Sequence, residues 1–446
     1  MKDKKIVIKA PKVVNGKNLM FKLECSKDVS RFFPCKKLIL EYPVDISCLD
    51  LSIQTVPALA SVIGVAWIIG ADVYVKSVDK NFRESLEKIR LVMKRWYPNL
   101  NFSSEIFGEL KNNSYSGSNF GLLYSAGLDS TTSYIKHRKK GLVLISVSGE
   151  GGSIDSQFKD KQFITPLSSQ EERIFTIRTN IENVVDEQLI YEKFGLNWWM
   201  NLSHGLVLTG HCAPLTVVKD VGVLYLASSF TRDFNFPWGS HPSIDNNICW
   251  GNTRVVHDGF DTTRQEKVLN ILKAYGEEFG EYPTLKVCSK FSRLGSNCCK
   301  CEKCSRTIIG LLAAGIDPKK CGFNIDAQNV GYIKKSLERG VFFSKKGLIE
   351  RPVKMINRIY PIFEWEDIQQ NLPSEFKEDE YGSESFFEWF KSFDVKERAN
   401  KIGLVDFPKL FLYSIFDLLA PISFIFPSKM QNMLRASFDY FFKNKK

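Results

Sequence analysis

Two stretches of this 446-residue chain combine residue types at spacings that do chemistry. The first is SAGLDS, residues 125–130, lying between the apolar run FGLLY and a helix-like DSTTSYIKHRKK. Ala126 and Gly127 are small enough for a tight turn after a strand. Successive backbone N–H groups from there through Leu128, together with a helix N-terminus, bind anions. The hydroxyls of Ser125, Ser130 and Thr131 add neutral donors, so residues 125–131 form a candidate phosphate cradle. Asp129 would repel a phosphate directly. It suits either a Mg²⁺ partner or an acceptor that orients the loop. A Walker loop, GxxxxGK[ST], places a lysine on the β- and γ-phosphates; this loop is shorter and has none. That difference fits a site gripping pyrophosphate as a leaving group, with ATP cleaved between its α- and β-phosphates. The plain alternative is a strand–turn–helix with capping serines.

The second stretch is VCSKFSRLGSNCCKCEKC. It holds five of the chain's eleven cysteines, four of them, Cys288, Cys298, Cys301 and Cys304, spaced C-x9-C-x2-C-x2-C. Four thiolates at such spacing suit a tetrahedral Zn²⁺ with a filled coordination sphere, hence a structural ion. An iron–sulfur cluster or a persulfide site is the competing use. Cys299 is surplus to the spacing and is expected not to ligate. Lys300, Lys303 and Arg306 would offset the negative charge of the thiolates.

Further candidates lie between the two. In DTTRQEKV, Thr262 or Thr263 can cap a helix, with Glu266 in capping-box position to Thr263. Arg264 and Lys267 then stand one turn apart, where they could face a triphosphate or lie solvated. Asp233, Phe236, Trp238 and His241 follow an apolar run at 221–227, and the last two could stack on or hydrogen-bond a planar ring. His204 and His211 read as structural. No Ser/His/Asp triad and no hydrolytic carboxylate pair stands out.

The elements that must position these residues form three regions. Residues 1–115 mix alternating strands (KKIVIKA, LMFKLEC, KLILEYP) with helices and read as an α+β domain. The polar stretch 111–119 reads as a linker. From 120 to 323, apolar runs FGLLYS, GLVLISVSG, RIFTIRT, VGVLYLASS and TLKVCS alternate with helical patterns. That predicts an α/β fold with a parallel sheet covered by helices on both faces. Residues 324–446 are helix-rich and aromatic. Two apolar runs have nearly membrane-spanning length. Residues 56–70 read as a buried helix feeding a sheet. Residues 410–426, with Asp417 and Pro421, read as core packing in preference to membrane contact. The N-terminus has no apolar signal core, so a cytoplasmic location is expected. A net charge of +11 favours phosphate-bearing partners, nucleotide or nucleic acid, or simply a basic surface.

Ser125, Gly127, Asp129 and Ser130 match the Ser-Gly-Gly-x-Asp-Ser signature of the PP-loop ATP pyrophosphatases, which residues 120–323 resemble. Ala126 replaces the first glycine and would tolerate positive φ poorly. The cysteine knuckle following the loop in this order resembles 7-cyano-7-deazaguanine synthase within that group. The whole architecture resembles synthase-like proteins of bacterial anti-phage and biosynthetic gene clusters. The resemblance implies an adenine nucleotide alpha hydrolase-like (HUP) sheet, and ATP, Mg²⁺ and Zn²⁺ as cofactors. It implies AMP- and pyrophosphate-forming activation of a carboxylate, such as a carboxylated deazapurine, followed by attack of a nitrogen nucleophile. Asp129, Arg264 and Lys267 would serve catalysis. Asp233, Phe234, Phe236 and Pro237 resemble the family's acceptor-facing segment, one residue shorter. The added regions imply a macromolecular acceptor or protein partners from the same gene cluster. A tRNA thiolase of the same superfamily and a non-catalytic nucleotide-binding subunit are the alternatives.

Overall fold

The computed structural model describes residues 4–149, 174–288, 294–343, 353–376 and 379–401. Short apolar, β-branched runs bounded by turns form twelve strands: β1 Lys5–Ile8, β2 Lys12–Val14, β3 Asn18–Cys25, β4 Lys37–Glu41, β5 Asp72–Asp79, β6 Ile106–Lys111, β7 Asn119–Leu123, β8 Leu142–Gly149, β9 Ile174–Thr179, β10 Val221–Ala227, β11 Cys249–Trp250 and β12 Thr253–Asp258. They make one sheet of order β11-β12-β10-β7-β8-β9-β4-β3-β1-β5-β6, with β2 paired to β3 off this path. Six of its eleven pairings are parallel, including the run β12, β10, β7, β8, β9. The architecture is α/β, a large, mostly parallel sheet flanked by helices.

Seven helices matter for the site: α1 Leu51–Ile69, α2 Lys80–Trp96, α3 Leu128–His137, α4 His204–His211, α5 Arg264–Lys267, α6 Glu302–Ala313 and α7 Val353–Gln370. α1 is apolar on every side and buried along nearly its whole length, as a helix with no polar face must be. The Asp50 carboxylate accepts from Ser52 N at 2.8 Å to start it, and Gly70 at φ +67° ends it. α1 is long and apolar enough to span a bilayer, yet all of that stretch lies inside the protein. It packs on β5 and on α4. At the α1–α4 crossing a Cβ on Gly210 would stand 2.6 Å from the Ala60 Cβ, so only glycine permits that approach. α2, by contrast, buries one stripe (Phe82, Leu86, Ile89, Met93) and turns its charges outward.

Strands from residues 5–111 and from 119–258 share the sheet, because β4 pairs antiparallel with β9 through Leu40↔Thr179 and Glu41↔Arg178. One hydrophobic core runs from Ile6 to Val255 across both. The stretch between β6 and β7 is pinned at several points. Asn113 donates to Ser52 Oγ and Asp79 Oδ2 at 2.8 and 2.7 Å, and Gly117 N donates to Asp220 Oδ1 at 2.8 Å.

Two sequence expectations are corrected. TLKVCS is not a strand over 284–288; its backbone bonds instead go to loops, Leu285 N to Cys321 O at 3.0 Å and Lys286 N to Ala126 O at 2.7 Å. The edge of the parallel run is supplied by β12, TRVVHD, whose polar ends hide its strand character in the sequence. The run 410–426 and the rest of the chain from 402 lie outside the described residues.

Candidate active site and metal centre

In this sheet β7 has β8 on one side and β10 on the other, and the chain continues from β7 into β8 before returning to β10. The carboxyl end of β7 is therefore a topological switch point, where open α/β sheets leave a crevice. Residues 125–127 occupy that position and α3 begins at Leu128. Ser130 Oγ ties the turn together, donating to Gly127 O at 3.2 Å and accepting from Ser125 N at 3.3 Å. Ser125 is exposed, whereas Thr131 is fully buried and its hydroxyl has no hydrogen-bond partner among the described residues. Gly127 keeps an ordinary extended φ of −71°. It is Ala126 that takes the left-handed conformation, at φ +57°. A Cβ there costs about 1–2 kcal/mol. The Lys286 N–H that grips the Ala126 carbonyl helps to hold this geometry.

The structure brings Asp129, Arg264 and Lys267 together. Thr263 and Glu266 form the capping box, Thr263 Oγ1 accepting from Glu266 N and Glu266 Oε2 from Thr263 N at 2.7 Å. This starts α5 at Arg264, so Arg264 and Lys267 project one turn apart. Arg264 Nη1 donates to Asp129 Oδ2 at 2.7 Å, and Lys267 Nζ donates to Asp129 Oδ1 at 3.0 Å and to Ser228 O at 3.0 Å. Burial pushes the Asp129 carboxyl up, but the charges of Arg264 and Lys267 outweigh it and hold the group below the usual carboxylate range. Both Asp129 oxygens are thus occupied by cations. This is the geometry of an acceptor that orients the loop, and a Mg²⁺ at Asp129 would have to displace one of the two.

Residues that the sequence did not flag complete the surroundings. From α7, Tyr360 donates to Ser229 O at 2.6 Å, and Asp367 accepts from Gln265 N at 2.9 Å. Burial, opposed by the Gln265 and Thr263 hydrogen bonds, raises the Asp367 carboxyl to about 6. One turn after Tyr360, Glu364 lies beside Arg264 and Arg306. Arg306 was expected to balance the thiolates; its ion-pair partners are the carboxylates Glu302, at 3.5 Å, and Glu364, at 3.8 Å.

The segment after β10 places its residues unevenly. Asp233 is exposed, on a single 3₁₀ turn with Phe234. Phe236 is half-buried. Trp238 packs its ring 5.2 Å from those of Phe230 and His204, while Phe230 and Phe234 in turn meet Tyr360 at 4.7 and 5.1 Å. His241 is committed internally: Nδ1 accepts from Ser243 N at 3.1 Å and Nε2 pairs with Asn235 Oδ1 at 2.8 Å. Burial, with the nearby His257, lowers its pKa to about 4. His241 is a loop brace with no ring nitrogen left for a ligand in this arrangement.

Ser228, His257 and Asp245 do form a Ser–His–Asp array, with 2.7 Å contacts on both sides of the imidazole. It is not a nucleophile in waiting. Ser228 is 1 % exposed and its hydroxyl also reaches Phe230 O, so the serine is enclosed and tied to the backbone. Asp245 also accepts from Ser240 at 2.7 Å, and the array locks the β10 and β12 ends together.

Cys288, Cys298, Cys301 and Cys304 converge, with all four Sγ atoms within 4.8 Å of one another. Individual separations are 3.4 Å (Cys301–Cys304), 3.9 Å (Cys298–Cys304) and 4.0 Å (Cys288–Cys301). Zn–S bonds of about 2.3 Å in a tetrahedron put sulfurs about 3.8 Å apart, so the donor set fits such an ion. Hydrogen bonding within the set, chiefly with Cys304, outweighs burial and lowers the Cys301 thiol. Asn297 secures the arm carrying Cys288, its Oδ1 accepting from Val287 N and Cys288 N at 3.2 Å each. Cys299 is buried, at φ +52°, and points its thiol to Asn297 O at 3.5 Å; it is outside the four-sulfur set.

Comparison of the chain with protein-family models, with curated proteins and with solved structures gives no match in any of the three.

Proposed function

We propose that this protein is an ATP-dependent ligase or synthase of the PP-loop ATP pyrophosphatase type, built on a HUP-like sheet. The observation that carries the reading is the lysine-free Ser-x-Gly-x-Asp-Ser turn at the switch point, with its aspartate held by two cations from α5. In this reading the turn and α3 hold the β- and γ-phosphates. A substrate carboxylate oxygen attacks the α-phosphorus, the α–β bridging P–O bond breaks, and pyrophosphate departs with that electron pair. Preorganised N–H and hydroxyl donors stabilise the leaving charge. A nitrogen nucleophile then attacks the acyl carbon, loses a proton and expels AMP. The four thiolates hold a structural ion such as zinc, which ties the 285–288 arm, and through Lys286 the loop, to α6.

The thiolase alternative is disfavoured by Cys299. That spare thiol is buried, bonded to a carbonyl, and pushed by burial up to about 11. A sulfur carrier needs a reachable thiolate.

The test is product analysis with ATP, Mg²⁺, 7-carboxy-7-deazaguanine and ammonia, and in parallel with proteins encoded beside this one. AMP and pyrophosphate in equal amounts support the reading, whereas ADP and phosphate overturn it. A gain of mass on a neighbouring protein would identify a macromolecular acceptor.

A further inference from the structure

Glu364 is a poorly satisfied carboxylate of the site. It is 2 % exposed. One of its oxygens, Oε2, lies 3.7 Å from Arg264 Nε and 3.8 Å from Arg306 Nε, beyond hydrogen-bond range of either. The other, Oε1, has no partner among the described residues; neither has Arg264 Nε nor Arg306 Nε and Nη1. A buried carboxylate that makes no hydrogen bond among the described residues, set between two buried guanidiniums, is a costly arrangement offset by Coulomb attraction. Guanidinium forks are made for bidentate oxyanions and are here left with idle donors. The carboxylate is also brought in by α7, outside the strand–helix unit that carries the loop and both arginines. Its helix is held over them by Tyr360, whose ring lies 5.1 Å from the Arg306 guanidinium and whose hydroxyl bonds Ser229 O.

We propose that Arg264 and Arg306 form a phosphate-binding seat beside the Ser125–Ser130 turn, and that Glu364 is its resident counter-ion, displaced when the ligand's phosphate enters. The class of ligand, a pyrophosphate or the polyphosphate of ATP, rests on the reading of that turn given above. Arg306 thereby becomes a ligand-binding residue contributed by the cysteine-knuckle helix, and α7 a closure that the ligand must work against.

Titration calorimetry of the full chain with inorganic pyrophosphate tests this. Glu364→Gln keeps the shape and removes the competing charge. It should tighten pyrophosphate about tenfold or more, and Arg306→Gln should weaken it by a similar factor. Tyr360→Phe, which loosens α7 without touching a charge, should tighten it a few-fold and serves if Glu364→Gln does not fold. Ser130→Ala reports on the turn itself. If Ser130→Ala weakens binding while Glu364→Gln and Tyr360→Phe leave it unchanged, the seat is wrong and the turn stands. Tightening by Glu364→Gln with indifference to Ser130→Ala supports the seat and removes the turn. Absence of pyrophosphate binding in the folded wild type and in every folded variant overturns both.

Discussion

Asp129 in the first turn of α3 and Arg264 at the start of α5 stand 135 residues apart in the chain and 2.7 Å apart in the fold. Lys267 shares the same carboxylate. Removing one member of a largely buried group leaves the rest uncompensated, at a cost of about 3–5 kcal/mol. Asp129→Asn is therefore expected to lower stability in urea denaturation as well as to abolish ATP turnover. Combining it with Lys267→Met should recover part of the stability but none of the activity. Strict additivity of the two stability losses would show that the pair is not coupled.

Ala126 at φ +57° makes a prediction of opposite sign. Ala126→Gly relieves the Cβ strain and should be neutral to about 1 kcal/mol stabilising, because glycine's larger unfolded-state entropy offsets part of the gain. Ala126→Val should destabilise, since a β-branched side chain suits the left-handed region worse. The midpoints of urea unfolding for the three proteins give the order directly.

Three histidines set an acid limit. Burial lowers His204 to about 4 and His211 to about 3, and burial with the nearby His257 lowers His241 to about 4. Unfolded, each titrates near 6.5. Between these values the unfolded chain binds protons that the folded chain refuses. Stability is thus complete above about pH 6.5 and falls as pH drops toward 4, by about 1.4 kcal/mol per histidine per pH unit. His211, whose Nε2 meets Ser61 Oγ at 2.9 Å inside the core, is the cleanest probe. His211→Gln should reduce the loss of stability between pH 6 and 4.5, which the raised Asp367 carboxyl partly opposes in the parent protein.

The four-sulfur set predicts one zinc per chain by elemental analysis. Cys288→Ser and Cys304→Ser should lose the ion and melt at lower temperature. Cys299→Ser should keep the ion, because its thiol lies outside the set. Chelation should also weaken ATP binding, since Lys286, two residues before Cys288, holds the Ala126 carbonyl.

The chemistry-bearing groups were legible in the sequence because each depends on local spacing. The SAGLDS turn, the C-x2-C-x2-C knuckle and the Thr263–Glu266 capping box are written within a few residues, and a turn, a chelate or a helix cap needs no more than that. α1 was legible for the same reason, since a helix apolar on every side has nowhere to lie but inside. What lay beyond the sequence was every relationship between distant segments. Nothing near Asp129 announces that its partners are Arg264 and Lys267, and nothing near Glu364 announces that it faces Arg306. β12 was hidden because its ends, Thr253 and Asp258, are polar residues that the interior satisfies with long-range bonds. TLKVCS has a strand's composition, but its backbone bonds go to the turns at Ala126 and Cys321, contacts that lie far off in the chain. Ala126 shows the division most sharply. The residue type argued against positive φ, yet the fold imposes it, because the end of β7, the start of α3 and the Lys286 N–H together fix the turn at a strain smaller than the contacts that hold it.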